Sequence, residues 1–248
     1  MWHLPSPVVT GFKGSVFTVA FSPDGRYLIT ASGDGLLQRF DVTSPSRPTP
    51  LGPPLTASGL DGTVAYGPGG RIAAGTGNGA IRLWNAANPN HTDALPLPGS
   101  ALHSPIQYVT FDDSGRLMAA GSSAGEIELW NVTDIAHATP VATWSATSAD
   151  PGADIFAVEF SPDDRLLASA GEDGTVRLWD IADLSHPRQI GPPLAKLSSA
   201  VYQVAFSPDG RILAASGADG KVRLWNVANP AHPRLVSTLS GPIGIVYD

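Results

Sequence analysis

The stretch VYQVAFSPDGRILAASGADGKVRLWNV, residues 201–227, decides the fold. It reads as three short strands divided by two tight-turn signals. The first strand runs from Val201 to Phe206 and closes in Ser207-Pro208-Asp209-Gly210. There proline presets φ, and glycine accepts the positive φ that the turn demands. The second strand follows from Arg211 to Ala215, and Asp219-Gly220 turns it into a third, Lys221 to Val227. Asp-Gly between alternating apolar residues is a strong hairpin signal. A weaker fourth strand, bounded by proline, begins at Arg234. Proline is tolerated on an outer edge and would break a central strand.

The same pattern occurs four more times, beginning at Val16, Thr63, Ile106 and Ile155. One aromatic ladder, Phe40, Trp84, Trp130, Trp179 and Trp225, advances in steps of 44, 46, 49 and 46 residues. A second, Phe21, Tyr66, Phe111, Phe160 and Phe206, advances in steps of 45, 45, 49 and 46. Two independent ladders thus agree on one period, the mark of a repeat architecture. The repeats are placed at 14–57, 58–101, 102–149, 150–197 and 198–240, with a partial unit at 241–248, in a single domain spanning residues 1–248.

Composition narrows the function. The net charge is −7, with three lysines against twelve arginines and no basic run, so the chain lacks the cationic footprint of a nucleic-acid partner. No stretch is long and apolar enough for a membrane span, and the first residues do not read as a signal peptide, which favours the cytoplasm. Zero cysteines exclude disulfide and thiol chemistry.

The Trp179-Asp180 pair, the Trp-Asn pairs at Trp84, Trp130 and Trp225, and their period resemble WD-repeat β-propellers. The resemblance runs from about Ser6 to Val246, and the Arg-rich blades with a recurring Gly-Pro-Pro-Leu are similar to a bacterial, high-GC branch. It implies an all-β propeller of four-stranded antiparallel blades around a channel. Five blades are complete. Pro7 to Thr10 resembles the outer strand of a sixth, and Val246 to Asp248 the start of its innermost strand. The chain therefore reads as a piece of a longer array, the rival readings being a closed five-bladed ring or two chains that complete each other.

The family's blades commonly hold a buried network of Trp, Ser or Thr, Asp and His. Six residues before each landmark stand Asp34, Asn78, Ala124, Asp173 and Asp219; ten before stand Thr30, Ala74, Ala120, Ser169 and Ala215. No Gly-His pair occurs, so the histidine is missing throughout. The fourth unit keeps Ser169, Asp173 and Trp179, whereas the third keeps little beyond Trp130. A buried indole N–H without an acceptor costs roughly 1–3 kcal/mol. The third blade is therefore expected to be the weakest unless backbone carbonyls substitute.

Catalysis finds little support. His91, His137, His186 and His232 each stand seven residues after a landmark Trp, on separate blades, where they cannot converge on one metal and read as turn caps. Asp112-Asp113 and Asp163-Asp164 occupy turn slots, where such side chains bond their own backbone. The first strands offer Thr18, Thr63, Thr110, Glu159 and Gln203 as their main polar groups, a single carboxylate among them. No cofactor motif is present.

The resemblance implies instead a non-catalytic scaffold that presents interblade loops and hairpins to a protein or peptide partner. On that face Phe17, Tyr108, Phe156 and Tyr202 are candidate contacts, the alternative being that they pack between blades. Trp144, assigned to the long connection reaching Asp154, is the leading candidate because the blade pattern does not demand it. Similar bacterial arrays form the sensor part of signalling proteins fused to a kinase or NTPase. The rival functions are a propeller enzyme with a channel-lining acid and a truncated array without independent function.

Overall fold

The computed structural model describes residues 14–57, 59–88, 91–95, 97, 99–147 and 152–240. Among them the strands form five antiparallel sheets, one per sequence repeat. Blade 1 holds β1 (Val16–Phe21), β2 (Tyr27–Ser32), β3 (Leu36–Asp41) and the outer pieces β4 (Thr49–Pro50) and β5 (Leu55–Thr56). Blade 2 holds β6 (Leu60–Gly67), β7 (Arg71–Thr76), β8 (Ile81–Asn88) and β9 (His91–Leu95). Blade 3 holds β10 (Ile106–Phe111), β11 (Leu117–Ser122), β12 (Glu126–Asn131) and β13 (Thr139–Ser145). Blade 4 holds β14 (Ile155–Phe160), β15 (Leu166–Gly171), β16 (Thr175–Asp180), β17 (Arg188–Gln189) and β18 (Ala195–Lys196). Blade 5 holds β19 (Val201–Phe206), β20 (Ile212–Gly217), β21 (Lys221–Asn226) and β22 (Arg234–Ser240). The only helical elements among the described residues are 3-10 turns at Pro68–Gly70 and Ile135–His137, and no helix there could cross a membrane. The strands read at residues 7–10 and 246–248 lie outside the described residues.

The outer strands of blades 1 and 4 are each broken in two by Gly-Pro-Pro. Gly52 and Gly191 adopt φ of 63° and 64°, and the prolines that follow cannot donate to the ladder. Two short pieces therefore pair with the third strand at its two ends.

Blades stack through four apolar seams. In each, the second and third strands of one blade present Ala, Ile, Leu or Val to the next blade's landmark Trp and first-strand Val. Ala31 and Leu37 meet Val64 and Trp84; Ile81 and Leu83 meet Val109 and Trp130. Ile127 and Leu129 meet Val158 and Trp179; Val176 and Leu178 meet Val204 and Trp225. Full burial of one such aliphatic side chain contributes about 1.5–3 kcal/mol. The innermost strands follow one another in the order β1, β6, β10, β14, β19, each packed on the next.

The turns explain the recurrent Ser-Pro-Asp-Gly. Ser22 Oγ donates to Asp24 Oδ1 at 2.6 Å and accepts the Tyr27 N–H at 2.9 Å; Ser161 and Ser207 repeat the arrangement. Blade 3 exchanges the roles, with Asp112 accepting both the Leu117 N–H and the Ser114 hydroxyl. One member of each acidic pair, Asp112 and Asp163, thus serves its turn. One departs from the rule: where the other blades place Gly25, Gly115 and Gly210, blade 4 has Asp164 at φ 56°, a left-handed conformation that side chains disfavour.

Candidate functional site

The first strands are not regular. Their pairing with the second strands shifts register near the start, at Val16/Thr18, Ile106/Tyr108, Ile155/Ala157 and Val201/Gln203. The residues skipped are Phe17, Gln107, Phe156 and Tyr202. A β-bulge re-aims its side chain out of the ladder. Three of the four aromatic candidates are therefore bulge residues, and Tyr108 follows the fourth bulge.

Two of these aromatics touch, and a third is tied to the residue beside one of them. The rings of Phe156 and Tyr202 lie 5.5 Å apart at 35°, joining blades 4 and 5. Gln203 Nε2 donates to the Tyr108 hydroxyl at 3.2 Å, joining blade 5 to blade 3 past blade 4. All three rings are half-buried, so each keeps an open face. Phe17 stands apart. It packs over Gly33 of its own blade and is 56% exposed. A cavity of about 580 Å³ runs along the innermost strands, lined by Phe17, Tyr108, Tyr202 and Gln203 at one end and by Asp112 and Asp113 at the other.

Trp144 belongs elsewhere. It lies within β13, not in a loop, and pairs with Ile127. Leu55 and Leu239 occupy the corresponding outer-strand place opposite Leu37 and Val222, so the blade pattern does demand an apolar residue there. Its ring sits 5.6 Å from that of Trp179 across the seam between blades 3 and 4. Its buried indole N–H has no hydrogen-bond partner among the described residues. Residues 148–151 of the connection that follows lie outside the described residues.

The polar networks differ from the expected ones blade by blade. In blade 4, Trp179 Nε1 donates to Ser169 Oγ at 2.9 Å, as the sequence suggested. Asp173 there bonds the Thr175 hydroxyl and amide and pairs with Arg177 at 2.9 Å, with both charged side chains buried. In blade 5, Arg223 reaches Asp219 at 2.6 Å. An arginine two residues before the tryptophan thus takes the aspartate that lacks a histidine. In blades 1 and 2, Asp34 and Asn78 accept instead from Ser32 and Thr76 Oγ at 2.6 Å, while the Thr30 hydroxyl points to the Gln38 carbonyl at 3.4 Å. The Ser/Thr-Gly-Asp/Asn-Gly signal for this was present in the sequence.

Blade 3 holds a side-chain acceptor where none was expected. Glu128, fully buried, accepts the Trp130 N–H at 2.9 Å, the Ser100 hydroxyl at 2.8 Å, the Ala101 N–H at 2.7 Å and the Thr143 hydroxyl at 3.2 Å. One carboxylate supplies the missing acceptor and also straps the incoming interblade connection to the blade. Glu-Leu-Trp in place of Arg-Leu-Trp was the readable sign.

The described histidines do not assemble a centre. His137 pairs with Asp134 at 2.8 Å and His186 with Asp183 at 3.2 Å, both on the surface, and the His232 amide bonds the Asn229 carbonyl. The side chain of His91 lies outside what is described. Among the described residues no three His, Asp or Glu side chains could hold a metal ion. Of the polar groups on the first strands, Thr63 is buried and accepts the Val109 N–H at 3.2 Å, tying blade 2 to blade 3. Burial, helped by the nearby negative charge of Asp113, pushes the Glu159 carboxyl up to about 7.

The family model described as WD domain, G-beta repeat matches residues 5–41, 138–180 and 191–226. The second and third segments each begin near the outer strand of one blade and end on the tryptophan strand of the next. The chain is also similar to the target of rapamycin complex subunit LST8 of Saccharomyces cerevisiae, 44% identical over 46 residues. That alignment covers 18% of this chain and 15% of the yeast protein. With its five sheets stacked Trp face to aliphatic face, the chain carries WD repeats at these three segments, in the blade arrangement of a β-propeller.

Proposed function

We propose that this chain is a non-catalytic platform that captures a protein or peptide at the bulged ends of its innermost strands. The observation that carries this reading is a cavity of about 580 Å³ lined by Tyr108 and Tyr202, with Phe156 stacked behind Tyr202 and Gln203 bonded to Tyr108. Half-buried aromatics held by rigid neighbours lose little freedom on binding, and such residues dominate interface energies. Phe17 contributes a fourth aromatic on blade 1. Trp144, held in a seam, is a structural residue in this reading. The yeast relative is by name a subunit of a complex, which supports an assembling role here. A net charge of −7 disfavours nucleic acid as the partner. The wider assignment is to a single-domain cytoplasmic module, the sensor part of a bacterial signalling protein joined to a kinase or NTPase.

The enzyme reading rests on Glu159, since a carboxyl titrating near 7 suits general acid–base work. Glu159 is not among the residues that line the 580 Å³ cavity, so scaffold function is preferred.

Selection of a random-peptide phage library on the purified chain tests the proposal. Selected peptides should lose about tenfold or more in affinity on Tyr202→Ala or Phe156→Ala, an expected hot-spot effect. Trp144→Phe should leave the affinity unchanged. Peptides indifferent to both alanine substitutions would refute this site.

A further inference from the structure

The cavity along the innermost strands has a sign as well as a shape. Its wall carries the rings of Tyr66, Tyr108, Phe111 and Tyr202, all half-buried, so part of each stays open. Asp112 and Asp113 are the charged side chains on that wall; among the described residues no lysine, arginine or histidine lines it. The two carboxylates are not equivalent. Asp112 is buried and held by the Leu117 N–H and the Ser114 hydroxyl. Asp113 is exposed, and among the described residues no donor reaches its carboxylate. Its charge is felt on the next blade, where it adds to burial in raising the Glu159 carboxyl and, with Asp112, that of Asp164. Two nearby cations do not answer it. Arg39, whose charge reaches Tyr66, is buried within blade 1, and Arg116 donates to Ser114 Oγ of its own turn at 3.0 Å.

A volume of about 580 Å³ falls within the range of ligand pockets, about 300–1,000 Å³. A cleft lined by one sign of charge draws in the other sign. Aromatic faces attract cations, and long basic side chains lay their alkyl stems on apolar walls while the charged end seeks a polar site. An acidic side chain would meet like charges here, and an apolar one would leave Asp113 unanswered. We propose that the peptide taken at this cavity presents a cationic side chain, arginine or lysine, whose stem lies against Tyr66 and Phe111 and whose charged end pairs with Asp113. This deepens the reading above and rests on it. Tyr108 and Asp113 stand five positions apart in one strand and turn, roughly 15 Å, farther than one side chain reaches. The residue gripped by Tyr108 and Tyr202 and the basic residue are therefore two different residues of one peptide.

Peptides selected on the full chain from the random phage library, resynthesised and titrated by calorimetry, are the probes. They should be enriched in arginine or lysine. Replacing that residue by citrulline or norleucine, which removes the charge and keeps the length, should weaken binding about tenfold or more. Asp113→Asn should weaken the parent peptide as much and leave the neutral one unchanged, the mark of a direct pair. The variant should unfold at the same urea concentration as the chain, because the Asp113 carboxylate bonds nothing of its own. Peptides that need Tyr202 but tolerate loss of the charge, or ignore Asp113→Asn, overturn this inference and leave the site standing. Peptides indifferent to Tyr202→Ala remove the site, and the inference falls with it.

Discussion

Glu128 and Trp130 stand two residues apart on one strand, and the carboxylate of the first receives the indole N–H of the second at 2.9 Å. Three further donors converge on the same buried carboxylate. Glu128→Ala would leave the Trp130 N–H buried without an acceptor and release the Ala101 N–H, at a cost of about 3 kcal/mol. Glu128→Gln, which keeps one acceptor oxygen, should cost less. Urea unfolding with an unchanged slope checks this; a loss under about 0.5 kcal/mol would contradict the strap.

Asp164 occupies a glycine's place in the blade 4 turn at φ 56°. Burial and the negative charges of Asp112 and Asp113 also raise its carboxyl above the usual range. Asp164→Gly relieves both the backbone strain and the charge repulsion. It should stabilise the chain by about 1 kcal/mol, visible as a higher melting temperature by calorimetry. A lower melting temperature would show that the aspartate is held by bonds worth more than the strain.

Glu159 gives a pH dependence whose sign is fixed. Its folded-state value, about 7, lies above its unfolded value, so the folded chain binds more protons between roughly 4.5 and 7. This carboxyl therefore lets stability fall as pH rises through that window, with the full penalty present above it. The raised carboxyl of Asp164 acts in the same direction, and the lowered ones of the exposed turn aspartates act oppositely. The informative quantity is the difference between the chain and Glu159→Gln. The variant should be more stable by on the order of 2 kcal/mol at pH 8 and nearly equal at pH 4.5. An equal difference at both pH values would remove the titration from the explanation.

Trp144→Ala opens the seam between blades 3 and 4 opposite Trp179. Because Trp144 is only half-buried, the expected loss is about 2–3 kcal/mol, below that for a fully enclosed tryptophan. Trp144→Phe should restore most of it. Denaturation monitored by the fluorescence of Trp179 and its fellows provides the measurement, and no loss in the alanine variant would return Trp144 to the surface.

The fold was legible because two signals coincide in every repeat: alternating apolar runs and turns whose Gly, Asp and Pro admit few conformations. Strand ends fell within a few residues of their expected places, as for Val201–Phe206. Side-chain partnerships were legible where both members lie in one blade at a fixed spacing, as with Ser169 and Trp179. They were hidden where geometry spans blades. Gln203 and Tyr108 are 95 residues apart, and nothing in either repeat announces their bond. Trp144 was misplaced for a related reason. The outer strands vary most in sequence, two of them broken by Gly-Pro-Pro, so the place it shares with Leu55 and Leu239 emerges only from the pairing.

Those proline breaks also govern how the molecule meets foreign chains side on. A stray extended segment can zip onto a sheet only where several consecutive amides and carbonyls lie free along its rim. Blades 1 and 4 offer two-residue fragments there, whereas β13 and β22 run unbroken for seven residues each. Amyloid-like growth, should the protein be stressed, would therefore start from the rims of blades 3 and 5, and a Gly-Pro-Pro graft into β22 would be the place to block it.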